Sequence, residues 1–220
     1  MLPRLHDYAA SANCYKVRLL LARLEREYER VPVDIFAGET LTPEFAARNP
    51  GLTTPVLEYA PGAYLPESGA ILLYLAEGTD YLPDPGPARA QVHRWMFFEQ
   101  ANVLSILGAL RFRTATGRLN PDGAEAQRLR GISTAIVTTV DGHLAGREWV
   151  ATDRCTVADL ALYGYLHVAG EAGVDVSPFA NLAAWLDRVR SDPRHVADLE
   201  PYPPNAQAGA SQSLYDALGV

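Results

Sequence analysis

The feature that most constrains what this chain can fold into is a change of hydrophobic period near Pro87. Before it, short stretches of strand-like alternation are interleaved with stretches of helical spacing; after it, only helical spacing and loops remain. Leu2 to Tyr8 is a candidate strand, and Val17, Leu20, Leu21 and Leu24 then fall on one face of an amphipathic helix. Val31, Val33 and Ile35 alternate with Pro32 and Asp34, a second strand whose proline restricts it to a strand end, an edge or a bulge. Thr40 to Arg48 reads as a short helix stopped by Asn49-Pro50-Gly51. Pro55 to Tyr59 and Ala63 to Leu65 flank the turn residues Ala60-Pro61-Gly62 as a hairpin, and Glu67 to Glu77 returns to helical spacing. The order is β-α-β-α-β-β-α.

The chain therefore divides into a first domain over residues 1–78, a linker over 79–87, an all-helical domain over 88–202 and an irregular tail over 203–220, an α+β fold class. The helices expected in the second domain are Ala88 to Thr114, Gly123 to Leu144, Val157 to Ala172 and Asn181 to Ser191. Ahead of the third, Thr156-Val-Ala-Asp159 has the spacing of a capping box, a structural pattern. The tail is rich in Pro, Ala, Gly, Asn, Gln and Ser. Apolar character returns at Leu214, Tyr215 and Leu218, so the tail is either disordered or docked through those three.

Composition removes several function classes. With 220 residues, 48% of them hydrophobic and 20% charged, the chain can bury one large core or two modest ones. A net charge of -7 and the lack of a long Lys/Arg run exclude a phosphate-backbone partner, so no nucleic acid is expected. The longest apolar run, Ala70 to Ala76, is too short to span a bilayer, and the first residues lack a signal peptide's pattern. The expectation is a cytoplasmic protein without a membrane partner. Cys14 and Cys155 form neither a CxxC pair nor a zinc spacing, and the five histidines are scattered; neither disulfide nor metal is expected.

Three segments carry chemistry. Tyr8-Ala-Ala-Ser-Ala-Asn-Cys-Tyr-Lys-Val-Arg18 places Ser11, Asn13 and Cys14 where a loop enters a helix, so polar groups there can meet an anion held at the helix's positive end. Ser11 or Asn13 would serve equally as a plain N-cap, and this segment alone does not separate the two roles. Asn49-Pro-Gly-Leu-Thr-Thr-Pro-Val-Leu57 sets Pro55 at the start of a strand; its spacing says nothing about a cis bond. Leu65-Pro-Glu-Ser-Gly-Ala-Ile-Leu-Leu-Tyr-Leu75 puts Glu67 and Ser68 at the mouth of a helix. Such a corner suits a zwitterion, with the carboxylate on helix N–H groups and the Ser68 hydroxyl, and the ammonium on Glu67.

Taken in this order and followed by an all-helical half with Thr-x-x-Asp, the segments resemble the cytosolic glutathione transferase superfamily, in its bacterial Ser/Thr-x-Asn form, over about the first two hundred residues. The resemblance implies a thioredoxin-like βαβαββα domain followed by a helical bundle. It implies that Glu67 and Ser68 hold the γ-glutamyl end of glutathione, and that Thr54 before a cis Pro55 binds the cysteinyl part through its backbone. It implies that Ser11 and Asn13 face the sulfur. Tyr8 is then a wall of the pocket and Cys14 a small packed residue of the helix's first turn.

The implied activity is that of a transferase whose bound glutathione thiol attacks a small electrophile, as in detoxification, in a homodimer. Co-substrate pocket candidates are Tyr8, Ala10 and Arg111. Trp95, Phe98 and Asn102 lie at helical spacing and suit core or subunit interface. Two other readings stand beside it: a glutathione-dependent disulfide reductase or peroxidase, and a non-catalytic binding module on the same fold. The retention of Ser11, Asn13, Pro55, Glu67 and Ser68 together disfavours the last.

Overall fold

The structure is a computed structural model and describes residues 2–210 and 212–218. Its chain forms two units: one made of the residues through Leu75 together with those from Val196 onward, the other of Ala76–His195.

The first unit is a four-stranded mixed sheet in the order β2-β1-β3-β4, formed by β1 (Arg4–Asp7), β2 (Glu29–Pro32), β3 (Val56–Ala60) and β4 (Ala63–Pro66). β1 runs parallel to β2 and antiparallel to β3, which is hairpinned to β4. With α1 (Ala12–Arg23), α2 (Pro43–Arg48) and α3 (Ser68–Ala76), this is the thioredoxin-like βαβαββα arrangement expected from the sequence. β2 stops at the residue that cannot donate to a ladder, Pro32, and is an edge strand. It begins two residues earlier than the Val/Ile alternation indicated. α2 starts where Thr42 accepts the Phe45 N–H and Pro43 takes the first helical position, whose N–H would be idle in any case. Val33, Phe45 and Val56 form a buried cluster with Ile35 and Tyr64 packed against it.

One expectation for this unit needs correction. α1 is not amphipathic: every residue from Cys14 to Leu21 is buried, Lys16 and Arg18 included. Part of the cover comes from the segment after Val196. The Tyr15 hydroxyl donates to the Val196 carbonyl at 2.8 Å, and Arg18 pairs with Asp198.

The region composition marked as an irregular tail is also tied down. Asn205 donates to Asp34 at 2.8 Å, and the Gln212 N–H donates to the Phe36 carbonyl at 2.9 Å. A short helix, α9 (Leu214–Ala217), opens with a Ser213–Asp216 capping box. Leu218 stays 68% exposed, so polar links rather than that leucine hold the segment. Residues 211, 219 and 220 of the expected tail, and Met1 of the first domain, lie outside the described residues.

The second unit is helical: α4 (Pro87–Phe98), α5 (Ala109–Ala115), α6 (Ala124–Leu144), α7 (Val157–Leu166) and α8 (Ala180–Arg190). Between α4 and α5 the helix does not break but widens into a π-helical stretch, Glu99–Gly108. There the Asn102 side-chain amide donates to the Phe98 carbonyl at 3.1 Å. Gly108 ends that stretch against Tyr165 of α7; a Cβ there would meet the Tyr165 ring at 2.7 Å. Trp95 is buried, as base rates for aromatic residues favour.

The capping box ahead of α7 reaches further than its spacing announced. Asp159 Oδ2 accepts the Thr156 N–H at 2.9 Å and hydroxyl at 3.0 Å, while Oδ1 accepts the Val150 N–H at 3.0 Å and Trp185 Nε1 at 2.9 Å. Burial raises the Asp159 pKa, and these four donors work against that rise. Removing the carboxylate orphans donors on three segments at once. Asp159→Ala is therefore expected to cost roughly 3–5 kcal/mol, as for other broken buried networks. Urea unfolding read by tryptophan fluorescence checks this, and a loss under about 1 kcal/mol would contradict the network's role.

Candidate functional site in the first unit

Two helix N-termini frame the candidate site. At α1, Ser11 is the N-cap, in extended conformation, and its Oγ accepts the Cys14 N–H at 3.3 Å. Capping uses the hydroxyl as an acceptor only. Its proton remains available to donate to a ligand, and Ser11 is only half-buried, so the structural and the chemical role coexist on one atom.

Asn13, in the first turn, is oriented by its neighbours. Its Oδ1 accepts from Lys16 Nζ at 2.9 Å and from the Ser68 hydroxyl at 3.4 Å. An ammonium can only donate, which assigns the oxygen to that side and leaves the amide NH2 as the end facing away from Lys16. Lys16 is the chain's single lysine and has no exposed surface. Sequence reasoning passed over it; the usable signal was a lone lysine about one turn past Asn13 in a mainly apolar helix.

At α3, the carbonyl of Glu67 accepts the first helical bond, from the Ile71 N–H at 2.9 Å. The N–H groups of Ser68, Gly69 and Ala70 are thus left without helical partners at the positive end of a nine-residue helix. Ser68 is the first helical residue and is buried, while the Glu67 side chain is exposed. Glu67 has φ 71°, left-handed backbone that costs a residue with a Cβ about 1 kcal/mol or more.

Between the helices lies the strand entry at Thr54, whose bond to Pro55 is cis. The β3–β4 ladder begins with Val56 opposite Pro66, which leaves the Thr54 peptide outside the sheet's pairing. Asn49, read from sequence as a turn residue, does more. Its Nδ2 donates to the Thr53 carbonyl at 2.8 Å and its Oδ1 accepts the Gly51 N–H at 2.8 Å, so one buried side chain shapes the whole approach to Thr54.

Contacts join these pieces. Ser68 touches Asn13, and Cys14, whose N–H Ser11 caps, has its thiol pKa drawn down by the Thr54 and Ser11 side chains against the larger effect of burial. The remaining sequence candidates sit differently. Ala10 is buried. Tyr8 is 7% exposed, its ring meets Phe36 edge-on at 5.6 Å, and its hydroxyl has no partner among the described residues. Burial first, then the charge of Asp34, raises the Tyr8 pKa, so the phenol keeps its proton. Arg111 belongs to the second unit, where its buried guanidinium donates to Glu171 at 2.6 Å.

Cys14 has no exposed surface, its sulfur accepts the Tyr8 N–H at 3.4 Å, and burial pushes its thiol up to about 12, with Asp7 adding to the rise. A thiol so held is a neutral packing group. Among the described residues no cluster of three His, Cys, Asp or Glu side chains is arranged to hold a metal, and no helix is long and apolar enough to cross a membrane.

Residues 5–80 match the family described as glutathione S-transferase, N-terminal domain, and residues 87–193 the family described as glutathione S-transferase, C-terminal domain. A glutathione S-transferase from Pseudomonas fluorescens Pf-5, known by its crystal structure, is 37% identical, with a TM-score of 0.87 over 91% of this chain and 100% of its own. A second family member from that organism, crystallised with two glutathione bound, is 26% identical with a TM-score of 0.79 over 90% of this chain and 92% of its own. The disulfide-bond oxidoreductase YfcG of Escherichia coli K12 is 26% identical over 84% of this chain and 89% of its own.

The burial of Cys14 generates a direct expectation. In the native protein at pH 8, iodoacetamide should modify Cys155, which is partly exposed, and leave Cys14 unmodified until denaturant is added. Peptide mass mapping reads both sites. Full alkylation of Cys14 without denaturant would contradict its assignment to packing.

Proposed function

The chain belongs to the glutathione S-transferase family, and from that premise we propose that it is a glutathione transferase. In this reading it binds reduced glutathione, lowers the pKa of its thiol and presents the thiolate to a small electrophile. The observation that carries the reading is the Ser11 hydroxyl, half-buried at the start of α1 and joined through Cys14 and Asn13 to the Thr54 and Ser68 positions. A relative crystallised with glutathione supports the ligand.

In this reading Ser68 and the free N–H groups of α3 receive the γ-glutamyl carboxylate, and Glu67 receives its ammonium. The Thr54 backbone pairs with the cysteinyl peptide, Pro55 fixing the chain's direction there. Ser11 and the Asn13 amide donate to the sulfur. The thiol loses its proton to solvent, and the sulfur then forms a bond to the electrophilic carbon as the leaving group departs with its electron pair. Lowering a thiol from about 8.5 by about two units requires roughly 2.7 kcal/mol of preference for the thiolate. One hydrogen bond to a charged acceptor contributes about 1.5–3 kcal/mol, and a helix N-terminus about 0.3–1. A serine at a helix start is therefore sufficient, and neither the Tyr8 phenol nor the Cys14 thiol has to take part.

A second reading has one observation in its favour, the YfcG relative's name as a disulfide-bond oxidoreductase. The same thiolate would attack a disulfide sulfur, forming a new S–S bond and expelling the other half as thiolate. We also propose a twofold homodimer. On the first unit the exposed rings of Tyr59 and Tyr74 meet at 5.3 Å, and on the second Phe97 is 72% exposed, apolar surface that an isologous interface would cover.

Parallel assays with glutathione and an aryl halide, a hydroperoxide or a small mixed disulfide separate the activities, and inactivity with all three would sink the enzymatic reading. Glu67→Ala should weaken glutathione binding about tenfold or more by calorimetry. Ser11→Ala should raise the bound thiol's pKa by about one to two units, read by thiolate absorbance against pH, with activity at neutral pH lost and partly regained as pH rises. A silent Ser11→Ala would remove that residue from the mechanism. Light scattering should find twice the 23.9 kDa chain mass.

A further inference from the structure

The loop that carries Ser11 is held from a part of the chain nearly two hundred residues away. Arg18, 1% exposed, donates through Nη1 to Asp7 at 2.6 Å, through Nε to the Asp198 carboxylate at 2.9 Å, and through Nη2 to the carbonyls of Asp198 at 3.1 Å and Ala9 at 3.2 Å. The Ala9 carbonyl also accepts the backbone N–H of Glu200 at 3.2 Å. A carbonyl oxygen has two lone pairs, and here both are engaged, one by Arg18 and one by the returning chain. The Ala9–Ala10 peptide is thus fixed in orientation, and Ser11 follows directly. The Ser11 N–H closes the turn onto the Tyr8 carbonyl at 3.0 Å.

We propose that Asp198 is a positioning residue for the thiol-activating loop: by holding Arg18 against the Ala9 carbonyl, it sets the direction in which the Ser11 hydroxyl points. The inference rests on the glutathione-activating reading, since only there does that direction matter. Asp198 touches no reacting atom. Its carboxylate is 39% exposed, whereas Asp7, the other partner of Arg18, is wholly buried and shared with Arg30. Loss of the Asp198 carboxylate leaves Arg18 held by Asp7 and by the Ala9 and Asp198 carbonyls, with water at the freed Nε, so the charge stays answered while the guanidinium is less firmly fixed. A partly exposed pair contributes little to stability, but a hydroxyl displaced by a fraction of an ångström loses much of its hydrogen bond to a sulfur.

The test uses the full chain with Asp198→Ala, Asp198→Asn and Asp198→Glu, and reads three quantities: thermal midpoint, glutathione affinity by calorimetry, and the pKa of the bound thiol by thiolate absorbance. Asp198→Ala should raise that pKa by about half to one unit and lower turnover at neutral pH about three- to tenfold. Affinity should stay within about twofold, because the γ-glutamyl corner lies on α3. Asp198→Glu should recover most of the loss. Should Asp198→Ala fail to fold, Asp198→Asn, which removes the carboxylate charge and so weakens the bond from Arg18, should raise the pKa in the same direction by a smaller amount. A bound-thiol pKa equal to wild type in the folded variant, whatever the thermal midpoint does, overturns the proposal. A wild type that forms no bound thiolate overturns the glutathione-activating reading as well, so the two failures are told apart.

Discussion

A guanidinium with almost no exposed surface must have its charge balanced and its N–H groups answered from inside the protein, and in this chain that requirement falls on Arg18. Burial works against its charge; the carboxylates of Asp7 and Asp198 outweigh that penalty and raise its pKa, so it stays ionised. The partners come from β1, from the loop after it and from the segment beyond Val196, and Asp7 passes the connection on to Arg30 in β2. One charge thereby ties two strands, a helix and a returning segment, and explains why the polar, proline-rich end of the chain belongs to the first unit rather than trailing from it. Removing Asp7, the buried partner, would cost far more than the set contributes over apolar packing, so the arrangement constrains the fold more than it stabilises it.

The candidate site grows out of the same local rules as the scaffold. A helix start must find acceptors for its first N–H groups; Ser11 serves α1 with its oxygen and keeps its proton, while the start of α3 leaves three N–H groups open. Asn13 likewise has its oxygen engaged by Lys16 and Ser68, which orients its amide without using the amide's own donors. Structure and proposed chemistry therefore draw on different faces of the same side chains. The left-handed backbone at Glu67 is a visible cost, located where the exposed carboxylate meets the helix start.

How far this was legible in the amino-acid sequence follows from the range of each signal. Strand and helix order came from apolar spacing, a property of ten or so neighbouring residues, and so did the helix starts at Ser11, Ser68 and Thr156. The family resemblance rested on three short segments. What stayed out of reach were interactions that no window spans: Asp198 reaching Arg18, Asp159 reaching Trp185, and Gln212 pairing with Phe36. Burial of α1 on all sides was missed for the same reason. Lys16 and Arg18 read as a solvated face until their partners are known, because a charged side chain is buried only when something distant answers it. Composition left the tail open between disordered and docked because polar residues describe a free segment and a hydrogen-bonded strap equally well.

Those distant contacts also bear on which sulfur does chemistry. A thiol and a phenol lie within a few residues of Ser11, and either would be a plausible reactive group from sequence position alone. Cys14 is enclosed, accepts the Tyr8 N–H and has its thiol pushed up to about 12, while Tyr8 is covered and pushed up as well. Both are acids that the surrounding apolar packing keeps protonated. The groups left able to favour an anion at this place are a hydroxyl, an amide and a helix end, none of which can itself become the nucleophile near neutral pH. A site built from those three stabilises a charge carried by something else. In the proposed reading that is the sulfur of a bound tripeptide, with the chemistry supplied by the ligand and the protein confined to holding it and lowering its pKa.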